Sequence, residues 1–123
     1  MLEIHLSDPE TERFVREVVN DFTKLDIVLY LSRDDYECRS MEDISQYVGR
    51  DAADIRRALD DLIMTGLVVP MQMDERSLYC LSRDRIMKDR IDGLFGLYEN
   101  VTERLKIVSI LIQTSSEQAG VGG

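Results

Sequence analysis

Between Ser40 and Leu81 the helical spacing of apolar residues is interrupted once and then gives way to a shorter period, and a glycine stands at each place. Ile44, Tyr47 and Val48 recur at helical spacing as far as Gly49, and Ile55, Ala58, Leu59 and Leu62 do so again as far as Gly66. Each helix has a start signal. Ser40-Met41-Glu42-Asp43 and Asp51-Ala52-Ala53-Asp54 both place an N-cap three residues ahead of an acid, where the cap side chain can accept an orphan amide. Each also has a stop, since glycine takes the positive φ that a C′ position asks for. Beyond Gly66 the period shortens: Leu67-Val68-Val69 and Leu78-Tyr79-Cys80-Leu81 are β-prone runs around a polar tip, Asp74-Glu75-Arg76-Ser77. The pattern predicts helix, tight turn, helix and hairpin in that order.

The flanks read as helical. Asp8-Pro9 predicts an N-cap and a proline at N1, Glu10 and Glu12 suit the first turn, and Phe14, Val18 and Phe22 with Val15 and Val19 form an apolar stripe. Thr23-Lys24-Leu25-Asp26 reads as the start of a second helix, with Leu25, Val28 and Leu29 buried and a polar turn at Arg33-Asp34-Asp35. From Ser82 onward Met87, Ile91, Leu94, Tyr98, Val101, Leu105, Val108 and Ile112 alternate steps of four and three, the period of a coiled-coil seam. Gly93 and Gly96 mark a place for a bend in it. The expected organisation is a helix over 1–22, a central domain over 23–82, a long helix over 83–114 and a fraying tail over 115–123. The fold class is mainly α with a small β-hairpin, α+β.

Composition narrows the functions. At 123 residues the chain holds one domain, and 44% apolar residues suffice for a core. No run approaches the roughly 18 apolar residues of a membrane span, and the first residues lack the basic start and apolar core of a signal peptide. Two cysteines 42 residues apart make no disulfide framework, so a reducing cytoplasm is the expected compartment. Catalysis has little support: His5 is the only histidine, and no metal-ligand spacing, Gly-rich phosphate loop or nucleophile motif occurs, so no cofactor or metal is expected. The formal charge is -9, from 24 acids against 15 Lys and Arg. Residues 1–23 carry six acids and two Arg, residues 24–82 twelve acids and seven bases, and residues 83–123 six of each. A broad negative field repels nucleic acid and favours cationic partners.

The order of elements nevertheless matches a winged helix-turn-helix. The stretch Met41 to Val68, and within it Ile55-x3-Leu59-x2-Leu62-x3-Gly66-Leu67-Val68, resembles the winged-helix regulators of the MarR/ArsR/TrmB superfamily over about residues 24–82. The resemblance implies a recognition helix over 51–65 in the major groove and a wing near 72–77 on the minor groove or backbone. It assigns DNA contact to Arg50, Ala53, Arg56, Arg57 and Arg76. Asp74-Glu75-Arg76 is similar to the Asp-x-Arg of MarR-type wings, while Asp51 and Asp54 stand where the family often has Ser or Thr. The bland alternative for Arg56 and Arg57 is surface ion pairing with Asp60 and Asp61 at i+4, worth about 0.3–0.5 kcal/mol each.

The implied partners are double-stranded DNA with a palindromic operator, a second copy of the chain and an unidentified small-molecule effector, with no membrane. The seam residues Met87, Ile91, Leu94, Tyr98, Val101, Leu105, Val108 and Ile112 would form a homodimer interface, alone or with the first helix; the alternative is packing within the chain. Asn100 and Arg104 beside it would fix its register, and the mixed run Arg83 to Arg90 reads as a solvated face or as phosphate contacts. The resemblance also implies a short strand before the Ser40 helix that pairs with the last wing strand. Cys38 and Cys80 then lie near one another, either as two small buried apolar groups or as a redox pair. A function of another class remains open, a winged helix whose acidic surface engages a basic protein.

Overall fold

The computed structural model describes residues 3–33 and 38–121, with side chains through Ser115. In order the elements are α1 (Pro9–Glu17), α2 (Phe22–Leu31), β1 (Arg39–Ser40), α3 (Met41–Val48), α4 (Ala52–Met64), β2 (Val68–Met73), β3 (Arg76–Leu81), α5 (Arg85–Tyr98) and α6 (Val101–Val121). The architecture is mainly helical with one antiparallel sheet, α+β. The chain divides into two compact units, one from residues 22–84 and one from the two ends, 1–21 and 85–123.

In the central unit the start and stop signals act as expected. Ser40 Oγ accepts the Asp43 amide at 3.2 Å, and an Asp51 carboxylate oxygen accepts that of Asp54 at 3.0 Å. Gly49 ends α3 with φ 76°, and Gly66 follows α4 with φ 83°. Most of the apolar stripe between these caps is driven inward: Ile44, Ile55 and Leu62 are buried, together with Leu25, Ile27, Val28 and Leu31 from α2, whereas Tyr47 stays 53% exposed. Burial of each such side chain contributes about 1.5–3 kcal/mol.

The sheet has strand order β1-β3-β2. Met73 pairs with Arg76 and Val68 with Leu81, so a two-residue turn at Asp74-Glu75 joins the long strands. Strand β2 runs further than Leu67-Val68-Val69 suggests and contains Pro70. This is possible because β2 is an edge strand, where a missing N–H breaks no second ladder. Strand β1, Arg39↔Tyr79 and Ser40↔Leu78, leads directly into α3.

Cys38 and Cys80 form a disulfide with Cα atoms 4.4 Å apart. The cysteines, read from the sequence chiefly as buried thiols in a reducing compartment, are therefore bonded to each other. Register explains their meeting: Arg39 opposite Tyr79 puts Cys38 opposite Cys80. Closing a loop across 42 residues restricts the denatured chain by about 4 kcal/mol in the chain-entropy account.

Helix α1 ends at Glu17, so Phe22 belongs to α2 and Thr23 lies inside that helix rather than capping it. Of the polar turn expected at Arg33-Asp34-Asp35, Arg33 follows α2 and residues 34 and 35 lie outside the described residues.

In the terminal unit α1 packs on α5 and α6. Asp8 caps α1 as expected, accepting the Glu10 amide and the Thr11 hydroxyl at 3.2 and 2.7 Å. The single long helix expected over 83–114 is two helices. The break falls at Glu99-Asn100, past Gly93 and Gly96, because Asn100 Oδ1 accepts the Glu103 amide at 3.0 Å and starts α6 afresh. Arg104 lies 5.8 Å from the Tyr98 ring and donates to the Tyr98 carbonyl at 3.4 Å. Asn100 and Arg104 thus shape the junction between α5 and α6. Helix α6 continues to Val121, where the sequence pointed to a tail from 115; residues 122–123 lie outside the described residues.

Candidate nucleic-acid interface

Helix α4 is divided lengthwise. Ile55, Ala58, Leu59 and Leu62 face the core, and Ala53, Arg56, Arg57, Asp60 and Met64 are exposed on the other side. The guanidinium groups of Arg56 and Arg57 have no ion pair among the described residues. For Arg57, pairing at i+4 does not occur because Asp61 turns the other way: its Oδ2 lies 3.2 Å from Nζ of Lys24, a buried residue of α2. The acid that would neutralise Arg57 is thus spent on a buried lysine, which leaves the arginine charge facing solvent.

Arg56 and Arg76, twenty positions apart in the sequence, line one cleft. It has a volume of about 490 Å³ and is walled by Ser40, Met41 and Glu42 at the start of α3, Arg56 on α4, and Glu75, Arg76 and Tyr79 on the hairpin. Arg56 Nη2 lies 3.9 Å from Met41 Sδ. Glu42 and Glu75 balance the two arginines, so the cleft offers paired local charges and no broad positive field. The tip is conformationally demanding: Asp74 and Glu75 have φ of 51° and 66°, as a two-residue hairpin turn of the I′ kind requires. Arg76 is the first residue after it.

Arg50 follows Gly49 at the α3–α4 turn and is exposed. Burial raises the Asp26 carboxyl above its ordinary value of 3.8, and the charge of Arg50 pulls it partly back. Arg50 therefore shares its field with an acid on α2, unlike Arg57. Sequence reasoning also missed an aromatic stack. The Tyr30 and Tyr47 rings lie 4.1 Å apart and nearly parallel, with Arg33 over Tyr47 at 5.2 Å and Arg39 over Tyr30 at 5.4 Å. Arg33 also donates to the Tyr47 hydroxyl. These residues come from three elements and a loop, so no local spacing announces them.

The eight seam residues separate by face. Ile91 and Leu94 are fully buried within the terminal unit and present no surface to a second copy, which corrects their expected place in an interface. They fill the core because α1 and α6 cover that side of α5. Met87, Tyr98 and Val108 are half-buried, whereas Val101, Leu105 and Ile112 are 60%, 62% and 54% exposed. In the basic run Arg90 pairs with Glu10 at 2.6 Å, and Arg83 and Arg85 are exposed. Among the described residues no cluster of three or more His, Cys, Asp or Glu could hold a metal ion, and no helix is long and apolar enough to cross a membrane.

No family model and no curated protein matches the sequence. The fold does have solved counterparts. A MepR–DNA complex from Staphylococcus aureus superposes with a TM-score of 0.61 over 89% of this chain and 89% of that one, at 11% identity. The fold is a MarR-like winged helix. A probable transcriptional regulator from Pseudomonas aeruginosa gives a TM-score of 0.59 over 91% of this chain and 84% of its own, at 15% identity. A MarR-family regulator from Silicibacter pomeroyi gives 0.53 over 88% and 79%, at 17% identity. In winged-helix terms α3 and α4 are the helix-turn-helix and β2–β3 is the wing.

Proposed function

We propose that the chain is a homodimeric, DNA-binding transcriptional regulator of the bacterial cytoplasm, with α4 in the major groove and the wing on the minor groove or backbone. The observation that carries this reading is the outer face of α4. Arg56 and Arg57 stand there free of ion pairs, with the small Ala53 one turn ahead and Arg76 across the cleft from Arg56. A helix of this kind meets base edges and phosphates with its N-terminal half, and arginine reads guanine edges or phosphates with its fork of donors. Arg50 adds a phosphate contact at the turn. Of the neighbours described above, one is a MarR-family transcriptional regulator, one a probable transcriptional regulator, and one was solved with DNA. Two copies paired through α6 would read a palindromic operator, and an effector of unnamed chemistry would act on that dimer.

The test is selection of genomic fragments by the purified protein at two salt concentrations, followed by titration of the enriched fragment. Replacing both Arg56 and Arg57 by Ala is expected to weaken binding and to lower the salt slope by up to about 2, one per lost phosphate contact. An unchanged slope removes these residues from the role.

A second reading, a winged helix that engages a basic protein, is favoured by Glu42 and Glu75 in the cleft and by the excess of acids over residues 24–82. Failure to enrich any fragment, together with a stable protein partner, would select it.

A further inference from the structure

The disulfide occupies a particular place in the winged helix. The loop it closes, Cys38 to Cys80, contains α3, α4, β2 and all but the last residue of β3. Every residue assigned to DNA lies inside it. Its Cys38 end is two residues before Ser40, whose hydroxyl caps α3, and three before Met41, which touches Arg56. Its Cys80 end is in the wing strand that begins with Arg76. Without the bond, β1 is held to β3 by two residue pairs only, Arg39↔Tyr79 and Ser40↔Leu78. The half-buried Cys38 is the more accessible end, and Cys80 is 6% exposed.

We propose that Cys38–Cys80 is a reversible oxidation site that sets the DNA affinity of the winged helix, the oxidised form binding more tightly. This rests on the DNA-binding reading above. The chemistry is thiol–disulfide exchange. The Cys38 thiolate attacks glutathione disulfide, forming a mixed disulfide and releasing one glutathione thiolate. The Cys80 thiolate then attacks the Cys38 sulfur and releases the second glutathione. Two protein thiols and one glutathione disulfide become one protein disulfide and two glutathiones, with two electrons passed to glutathione and the two thiol protons taken up by the leaving thiolates. The chain has no third cysteine, so the exchange partner is external.

The direction follows from preorganisation. Oxidation fixes β1, and with it the cap of α3 and the sulfur that Arg56 rests on; reduction returns this ordering to be done during binding. The site also reconciles a bonded cysteine pair with a cytoplasmic regulator, because its state follows the local glutathione ratio.

The experiment equilibrates the full-length protein across glutathione to glutathione disulfide ratios, counts thiols by alkylation and mass spectrometry, and measures affinity for a selected DNA fragment and hydrogen exchange over 38–81 in the same samples. Two thiols are expected to appear together, with about a tenfold loss of affinity and faster exchange at the start of α3. Cys38→Ser and Cys80→Ser should both sit at the reduced level in every buffer, and circular dichroism separates this from unfolding. Equal affinity with two thiols and with none overturns the coupling, as does exchange indifferent to thiol count. Exchange that follows thiol count with no DNA binding in either state supports the redox coupling and overturns the DNA reading alone.

Discussion

Gly93 and Gly96 sit on the same helix and have the same intrinsic cost, yet their surroundings assign them opposite roles. A Cβ at Gly93 would lie 3.0 Å from Thr11 Oγ1, whereas one at Gly96 would meet nothing within 4 Å. Thr11 cannot easily retreat, being 2% exposed and hydrogen-bonded to the Asp8 cap. Gly96→Ala should therefore stabilise the protein by roughly 0.5–1 kcal/mol. Gly93→Ala should destabilise it, since overpacking costs about 1–3 kcal/mol against roughly 1 kcal/mol of helix propensity. Denaturant titration of the two variants reads the opposite signs. His5 gives a prediction in pH. Hydrogen bonds donated by the His5 ring to the Glu12 carboxylate, then to Glu3, raise the imidazole above its ordinary value of 6.5. Burial alone would raise Glu12, but the Leu6 amide, Arg16 and His5 outweigh it and hold the carboxyl below its ordinary value of 4.5. A raised folded value means that the His5 contribution is complete below pH 6.5 and is lost as pH rises through the folded value above it. The gap in melting temperature between the protein and His5→Gln should close over that range. The group is exposed, so the gap is small.

At the scale of the element, capping decides where helices start, and periodicity alone does not. The apolar steps of four and three run unbroken from Met87 to Ile112, yet the helix stops at Tyr98 because Asn100 captures the Glu103 amide. Asn100→Ala should cost about 1 kcal/mol, measured by thermal unfolding, and should not change the Arg56 face of α4. The same comparison shows what was legible in the sequence. Helices α3 and α4 and the wing were, since Ser40, Gly49, Asp51 and Gly66 are local signals that agree with the burial of Ile44, Ile55 and Leu62. The break at Asn100 was written as Asn100-Val101-Thr102-Glu103 but was masked by the seam crossing it. The nearness of Cys38 and Cys80 came only through the resemblance, and their bond was the lesser of two readings. The Lys24–Asp61 pair and the Tyr30–Tyr47 stack were not legible as contacts, because each joins elements whose meeting depends on the whole fold. Of the candidate site, the residue identities of the α4 face could be read from period alone. That Arg57 escapes Asp61 could not.

For the whole molecule the governing numbers are a charge of -9 and a stripe of apolar residues left uncovered on α6. In the proposed role, a single α4 face with few free arginines and an acidic field would have little non-specific affinity for DNA, because that term grows with the number of phosphates neutralised. Pairing two heads doubles those contacts and makes the second encounter intramolecular. Val101, Leu105, Val108 and Ile112 recur at steps of four, three and four along one side of α6, and the first two and the last are more than half exposed. That stripe is the surface proposed to bring a second copy. Leu105→Glu tests it cleanly: Leu105 is 62% exposed, so a charge there has no buried site to disrupt and the fold should survive. Light scattering should then give a monomer at concentrations where the unmodified protein is dimeric, with unchanged circular dichroism. Affinity for a palindromic fragment should fall together with the salt slope, roughly halving it as one head is lost. A dimer that persists places the interface elsewhere, and a monomer that keeps full affinity and slope would mean that one head suffices despite the charge.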